Sequence, residues 1–363
     1  MKKLAFLLVA VMLVSLLGCS GSGNGTTTQS TAQLAASSTT QTTTASTTVP
    51  TTVTTTAPTT QPTTVTTTQP TSDPTTESTT TAPTASNTTK PTTVTTTKPT
   101  VRPNPASDFE YDINENDGYV IVDGYVGSSK NVIVPDMIEG HQVKGVRLQE
   151  NDMIESLVLP DTMEFVGIAA FMNCTNLQTV VLGKNVTAIG DMGFYYCTKL
   201  EQITFSSTLK TIGPEAFMYC KSLKKAILPD GLESIGNGAF SGCSALKEVV
   251  IPGTVKTLKE QLFAGCDSVE TVTFKHGIEV IGGRVMFTSP KIKTLVIPSS
   301  VKEIESEALV DLRLDSITFL GDAPTVGKYH FQLCPENFTI YYDPSTSGWE
   351  DTPLNEFNLV PIQ

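Results

Sequence analysis

The sequence predicts an α/β solenoid in which 23-residue units each contribute one short strand to a parallel sheet. Two observations predict it. Five of the seven cysteines fall at one interval, Cys174, Cys197, Cys220, Cys243 and Cys266. Apolar residues keep step with them: Phe171, Phe194, Phe217, Phe240 and Phe263 three before, Val166, Ile189, Ile212, Ile235 and Leu258 eight before, and Leu177, Leu200, Leu223, Leu246 and Val269 three after. A period of this length marks stacked units, none of which buries its apolar face alone.

Upstream of the repeats the chain reads as an address and a tether. Lys2 and Lys3 precede an apolar run from Leu4 to Leu17, about 14 residues, which is short for a spanning helix of about 20 and fits a signal peptide, residues 1–18. The run ends in Leu16-Leu17-Gly18-Cys19, which resembles the lipobox of bacterial lipoproteins. That resemblance implies cleavage before Cys19, lipid attachment at its thiol, and several acyl chains, as stable anchoring requires. Residues 19–107 follow as the anchor cysteine and a disordered stalk. Residues 21–100 hold 38 Thr and 8 Pro but only Asp73, Glu77, Lys90 and Lys98 as charges, so ordering them would cost backbone entropy with no core to offset it. Pro-Thr-Thr-Val-Thr-Thr-Thr-x-Pro recurs at 50–58, 62–70 and 91–99, a bias toward extension with a reach on the order of 270 Å. Dense Thr and Pro also resembles O-glycosylated stalks.

Charge excludes one class of partner. The chain has 24 Lys+Arg and 36 Asp+Glu; 5 basic and 2 acidic residues precede Ala106, leaving 19 and 34, a net of −15. A nucleic-acid groove needs clustered cations.

Each repeat divides into two parts. A stretch such as Leu246-Lys-Glu-Val-Val-Ile-Pro252 alternates inward and outward as a strand and is stopped by proline, as at Pro160, Pro229 and Pro298. The other part, as in Ile235-Gly-Asn-Gly-Ala-Phe-Ser-Gly-Cys243, is expected to be a tight turn followed by one or two helical turns. The frame continues through Ile281, Met286, Ser289 and Ile292 and through Ile304, Leu309 and Leu312; one residue is then missing before Leu314, Ile317 and Phe319, and Val326, Phe331 and Cys334 close the series.

The pattern Leu-Pro-x-x-Leu-x-x-Ile-Gly-x-x-Ala-Phe-x-x-Cys-x-x-Leu-x-x-Val-x-Ile, nearly whole in 228–251, resembles the BspA-type leucine-rich repeat of bacterial surface proteins. The resemblance implies a strand-rich N-terminal cap (108–158), leucine-rich repeats (159–320), and a C-terminal repeat and cap (321–363). It also implies adhesion: noncovalent recognition of a host or bacterial surface protein, a cell or a glycan. The expected location is extracytoplasmic, lipid-anchored and displayed at the surface, as a monomer touching the membrane through its lipid alone. The alternatives are a scaffold of the envelope that holds a bacterial partner and, as the weakest reading, a surface hydrolase.

The remaining chemistry is sparse. The constant register gives the six later cysteines one interior position each, as small buried hydrophobes; disulfides between neighbouring coils are the open alternative. No CxxC or CxxH spacing suggests zinc, and no cofactor is expected. His141, His276 and His330 stand outside any nucleophile or metal motif, so no catalytic residue is assigned. Gly282-Gly283 reads as structural. The series Glu164, Thr187, Lys210, Glu233, Lys256, Glu279, Lys302 alternates in sign from Lys210, an exposed ladder that would fix register.

Two surfaces could bind. Outward strand positions present Thr179, Gln202, Lys225 and Glu248 with their neighbours, a broad sheet face that β-propensity alone would also explain. Just before the cysteines, Met172, Tyr195, Tyr196, Met218 and Tyr219 occupy sites that later units fill with Ser241-Gly242 and Ala264-Gly265. The core does not demand these rings, and Tyr and Met are enriched at interface cores.

Overall fold

The computed structural model describes residues 102–363. The signal peptide, Cys19 and the stalk up to residue 101 lie outside the described residues.

The description begins with a small mixed sheet. Phe109–Asn114 runs antiparallel to Tyr119–Tyr125, which pairs in parallel with His141–Val146, and Met137–Ile138 closes the far side. Alternation puts Val120, Val122, Val143 and Val146 in the core. Between these strands Asn131–Ile133 opens the solenoid by pairing in parallel with Ser156–Val158. Its free edge is closed by one residue: the Asn104 amide donates to the Ile133 carbonyl at 2.9 Å, and the Ile133 amide donates to Asn104 Oδ1 at 2.9 Å.

Eleven short strands then succeed one another in parallel along one side, from Asn131–Ile133 to Asn358–Pro361. Thr179 is level with Gln202, Lys225 with Glu248 and Thr271, and Thr294 with Ser316, Thr339 and Asn358. The step from Thr294 to Ser316 is the one-residue deletion read after Leu312. A second side carries two-residue strands, among them Ala188–Ile189, Thr211–Ile212 and Ser234–Ile235, again parallel and in register. Their Ile residues point inward with Val180, Ile203, Ala226 and Val249 from the first ladder.

The third side corrects the α/β expectation. Among the described residues no α-helix forms, and the helical elements are two 3-10 turns, Ala106–Asp108 and Pro353–Glu356. Five and one residues before each cysteine the backbone enters the left-handed region: Ala169 (φ 51°) and Asn173 (61°), Met192 (54°) and Tyr196 (59°), Glu215 (55°) and Tyr219 (61°), then Gly238 (59°) and Gly242 (72°). Such residues interrupt a right-handed helix at once. Amides therefore bond between coils: Ala169, Phe171 and Asn173 donate to the carbonyls of Asp191, Gly193 and Tyr195 at 2.8–2.9 Å. The protein is a parallel β-solenoid with a turn-built third face.

Inside that face lies a column of rings. Phe171, Phe194, Phe217, Phe240 and Phe263 stack with centroids 5.0, 5.3, 5.1 and 5.5 Å apart and planes 5–15° from parallel. All five are buried.

Candidate partner-binding site

The turn face determines where the aromatic candidates stand. The residue before each cysteine from Cys174 to Cys243 is left-handed, and it and the residue before it stay outside the core while Phe and Cys turn in. Successive coils bring Tyr195, Tyr196 and Tyr219 into one group, with ring centroids 6.2 Å (195–196), 6.1 Å (195–219) and 5.9 Å (196–219) apart. Tyr219 meets the other two edge-on, at 81° and 73°. Tyr196 is exposed, and Tyr195, Tyr219, Met172 and Met218 are half-buried on the same face. A Cβ at Gly242 would lie 2.5 Å from Tyr219 Cδ1, so the glycine leaves the space across which that ring lies. The Lys221 ammonium stands 5.9 Å from the Tyr196 centroid, within cation–π range. Burial, then the Glu215 carboxylate, raises the Tyr195 hydroxyl above its ordinary pKa, so it remains a protonated donor.

The strand candidates lie elsewhere. Gln202, Lys225 and Glu248 are exposed and Thr179 is half-buried, each at the first residue of its strand on the outward side of the first ladder. Ile227 is 72% exposed there, an apolar side chain with no core role. The face is flat, and its side chains follow the strand alternation.

The cysteines do more than fill space. Each thiol donates to a carbonyl 22 or 26 residues earlier: Cys174 Sγ to Leu148 at 2.9 Å, Cys197 to Phe171 at 3.1 Å, Cys220 to Phe194 at 3.2 Å, Cys243 to Phe217 and Cys266 to Phe240 at 3.3 Å, and Cys334 to Leu312 at 3.6 Å. All six are free thiols. Burial pushes the Cys266 thiol up to about 12 and raises Cys197, Cys220 and Cys243 strongly, so thiolate chemistry is suppressed along the column. The sequence reading of small hydrophobes missed this hydrogen bond. The signal was Cys, rather than Ala or Val, at nearly every unit.

The alternating charge series forms where predicted, in part. Lys210 pairs with Glu233 at 2.8 Å, and Glu279 bridges Lys256 at 3.8 Å and Lys302 at 2.7 Å. Lys302 and then Lys256 hold the Glu279 carboxyl below its usual range. The heads are exposed, so water and salt screen these pairs and they add little to stability.

The histidines are dispersed. His141 Nδ1 lies 3.2 Å from the Gly118 carbonyl and His276 Nδ1 lies 3.4 Å from Ser299 Oγ. His330 is buried with neither ring nitrogen hydrogen-bonded. Among the described residues no group of His, Cys, Asp or Glu converges on a metal position, and no helix is long and apolar enough to cross a membrane. Two open concavities lie at the coil edges, the smaller about 570 Å³ and including Gln142, Lys144 and Glu164, the larger about 710 Å³ and including Glu233, Lys256 and His276.

Comparison with known proteins bears on the fold. No curated protein matches the chain. Among solved structures it is similar to the T. pallidum leucine rich repeat protein, at 24% identity over 60% of this chain and 86% of that one with a TM-score of 0.37. It is also similar to a leucine rich cell surface protein from Faecalibacterium prausnitzii, at 17% identity over 70% and 88% with a TM-score of 0.39. A leucine-rich repeat protein from Bacteroides ovatus matches at 21% identity over 65% and 70% with a TM-score of 0.36. The family model described as BspA type Leucine rich repeat region (6 copies) matches residues 148–237 and 210–339. Together these stretches span more than half of the chain, and the Phe-x-x-Cys column lies within them: the chain belongs to the BspA type leucine rich repeat family.

Proposed function

We propose that this protein is an adhesin, a noncovalent binding module displayed outside the cytoplasm and anchored by lipid at Cys19, with the tyrosine group as its contact surface. The observation that carries the reading is the placement of the rings. Tyr196 and Tyr219 take φ of 59° and 61° at the turn position that the next coils give to Gly242 and Gly265. The left-handed conformation belongs to the turn itself, since Asn173, Thr288 and Asp311 adopt it as well, with φ of 61°, 58° and 60°; what sets Tyr196 and Tyr219 apart is an aromatic ring kept where Gly242 and Gly265 form the same turn without one. Aromatic rings held outside the core, where the turn does not demand them, point to a use outside the fold. Tyrosine supplies rigid contact area with few rotors to freeze, which suits recognition. The lipobox-like Cys19 and the stalk support display, and display in many copies would raise avidity.

The test compares the full-length chain with a Tyr195→Ser, Tyr196→Ser, Tyr219→Ser variant in capture from host-matrix and bacterial-envelope extracts. The expected result is that a partner retained by the native chain is lost by the variant, while circular dichroism and the thermal midpoint are unchanged. Equal capture by a folded variant removes the tyrosine group from the contact surface. A partner found only in the envelope extract would move the role from adhesion to scaffolding.

A further inference from the structure

The charge around the tyrosines runs against that of the domain. From Ala106 onward the chain carries a net −15, yet Lys199, Lys221, Lys225 and Lys247 gather on the corner where the turn face meets the first ladder. Coil stacking places them together: the Ala245 amide donates to the Lys221 carbonyl at 3.1 Å, the Lys247 amide to the Lys224 carbonyl at 3.3 Å, and Lys225 is level with Glu248. All four are exposed, and among the described residues none takes part in an ion pair. The neighbouring Lys224, by contrast, is bound to Glu201. Lys221 rests against the Tyr196 ring and Lys199 Nζ donates to Asn176 Oδ1 at 2.7 Å. The carboxylates beside this group are Glu215 near Tyr195, Glu248 level with Lys225, Glu201 paired with Lys224, and Glu270, whose amide donates to the Lys247 carbonyl at 2.9 Å.

We propose that the corner formed by Tyr195, Tyr196, Tyr219, Lys199 and Lys221 recognises an acidic polysaccharide, a chain of pyranose rings bearing carboxylates. The proposal rests on the tyrosine group being the contact surface and names its ligand class. Three features select this chemistry over an acidic peptide. Backbone groups along the interior coils already bond to the coils on either side, so no strand edge is free to take a peptide by main-chain pairing. Polar side chains follow the rings along the coils, among them Thr198, whose amide donates to the Tyr196 carbonyl at 2.9 Å, and Asn176, which accepts from Lys199, and these suit a hydroxyl-rich ligand. The faces of the tyrosine rings are electron-rich and accept the weakly positive C–H face of a sugar, while the lysine ammonium groups meet its carboxylates. Adjacent coils, about 4.8 Å apart, would bring the Tyr195–Tyr196 pair and Tyr219 to neighbouring sugars.

The experiment is calorimetric titration of the full-length chain with a polygalacturonate oligosaccharide, neutral dextran and poly-glutamate of matched charge, at low and raised salt. The expected result is salt-sensitive binding of polygalacturonate, little of dextran, and binding of poly-glutamate weaker by about tenfold or more. Lys199→Gln with Lys221→Gln, and separately Tyr195→Ser with Tyr219→Ser, should each weaken polygalacturonate by about tenfold with the thermal midpoint retained. Poly-glutamate binding as tightly would overturn the ligand class, because charge alone would then account for affinity. If polygalacturonate does not bind while the triple tyrosine variant still loses its captured partner, the glycan assignment fails and the contact surface stands. Loss of neither overturns both.

Discussion

At the scale of single residues the repeat explains its own exception. Ser289 occupies the cysteine position of its coil and is 1% exposed, but its hydroxyl has no partner. The equivalent carbonyl, 26 residues earlier, is that of Phe263, which accepts the Cys266 amide at 3.3 Å. A C–S bond reaches this carbonyl in other coils, whereas the shorter C–O bond stops short of it. An orphaned buried hydroxyl costs about 1–3 kcal/mol. Ser289→Cys and Ser289→Ala should therefore both raise the denaturant midpoint, with Cys ahead, corresponding to about 1 kcal/mol. His330 is the second orphan, and burial holds its pKa below 6.5. At neutral pH both folded and unfolded forms are uncharged. As pH falls through the unfolded value the unfolded chain takes up a proton that the folded one resists, so stability falls until the lower folded pKa is passed. The thermal midpoint should drop as pH falls from neutral through the ordinary histidine range, by less in His330→Leu. Neither orphan was legible in the sequence, which records where a side chain lies but not whether its hydrogen bonds are met.

At the scale of the element, the strands were legible and the third face was not. Alternation predicted that Val249 and Ile251 would be buried and Glu248 exposed, as they are. Ala-Phe-x-x-Cys is equally compatible with a helical turn and with a left-handed turn, because both place Phe and Cys on one side. What decides between them is that Ala169 or Glu215 accepts a positive φ, which nothing in those residue types announces. Gly282, read as structural, leaves no room for a side chain: a Cβ there would lie 2.2 Å from the Leu258 carbonyl oxygen, and one at the equivalent Gly236 2.2 Å from the Pro214 nitrogen. These are backbone atoms, so neither can step aside. The phenylalanine column carries the largest energetic consequence. Phe217 stacks between Phe194 and Phe240 and takes Phe205 edge-on at 5.8 Å. Phe217→Ala should cost about 3–5 kcal/mol, measured by equilibrium denaturation.

At the scale of the whole molecule, each coil is held by the coil before it and the coil after it, so stability is a chain of local terms rather than one shared core. A defect in the middle then weakens coupling between the two flanking stacks. Phe217→Ala should broaden the denaturation transition as well as shift it, whereas a defect of equal cost near the C-terminal end, Phe338→Ala, should mainly shift it. A transition equally sharp in both would show that coupling extends beyond nearest neighbours. The repeat region was legible at this scale because its period is written in residues that can go nowhere but inside. The tyrosine group was legible as a departure from that period, whereas the lysines of the neighbouring coils were not, since only stacking relates Lys199, Lys221 and Lys247.

The closure at Asn104 has a consequence for how copies of this solenoid behave at high concentration. A row of parallel strands is a template at both ends, and identical subunits can add to one another until a filament grows. Growth needs a donor end and an acceptor end on every copy. Asn104 occupies the first end with its own amide and side-chain oxygen, using the same two bonds that an incoming strand would need. One sealed end is enough to prevent runaway polymerisation, so the opposite end can stay open without making the protein fibrous.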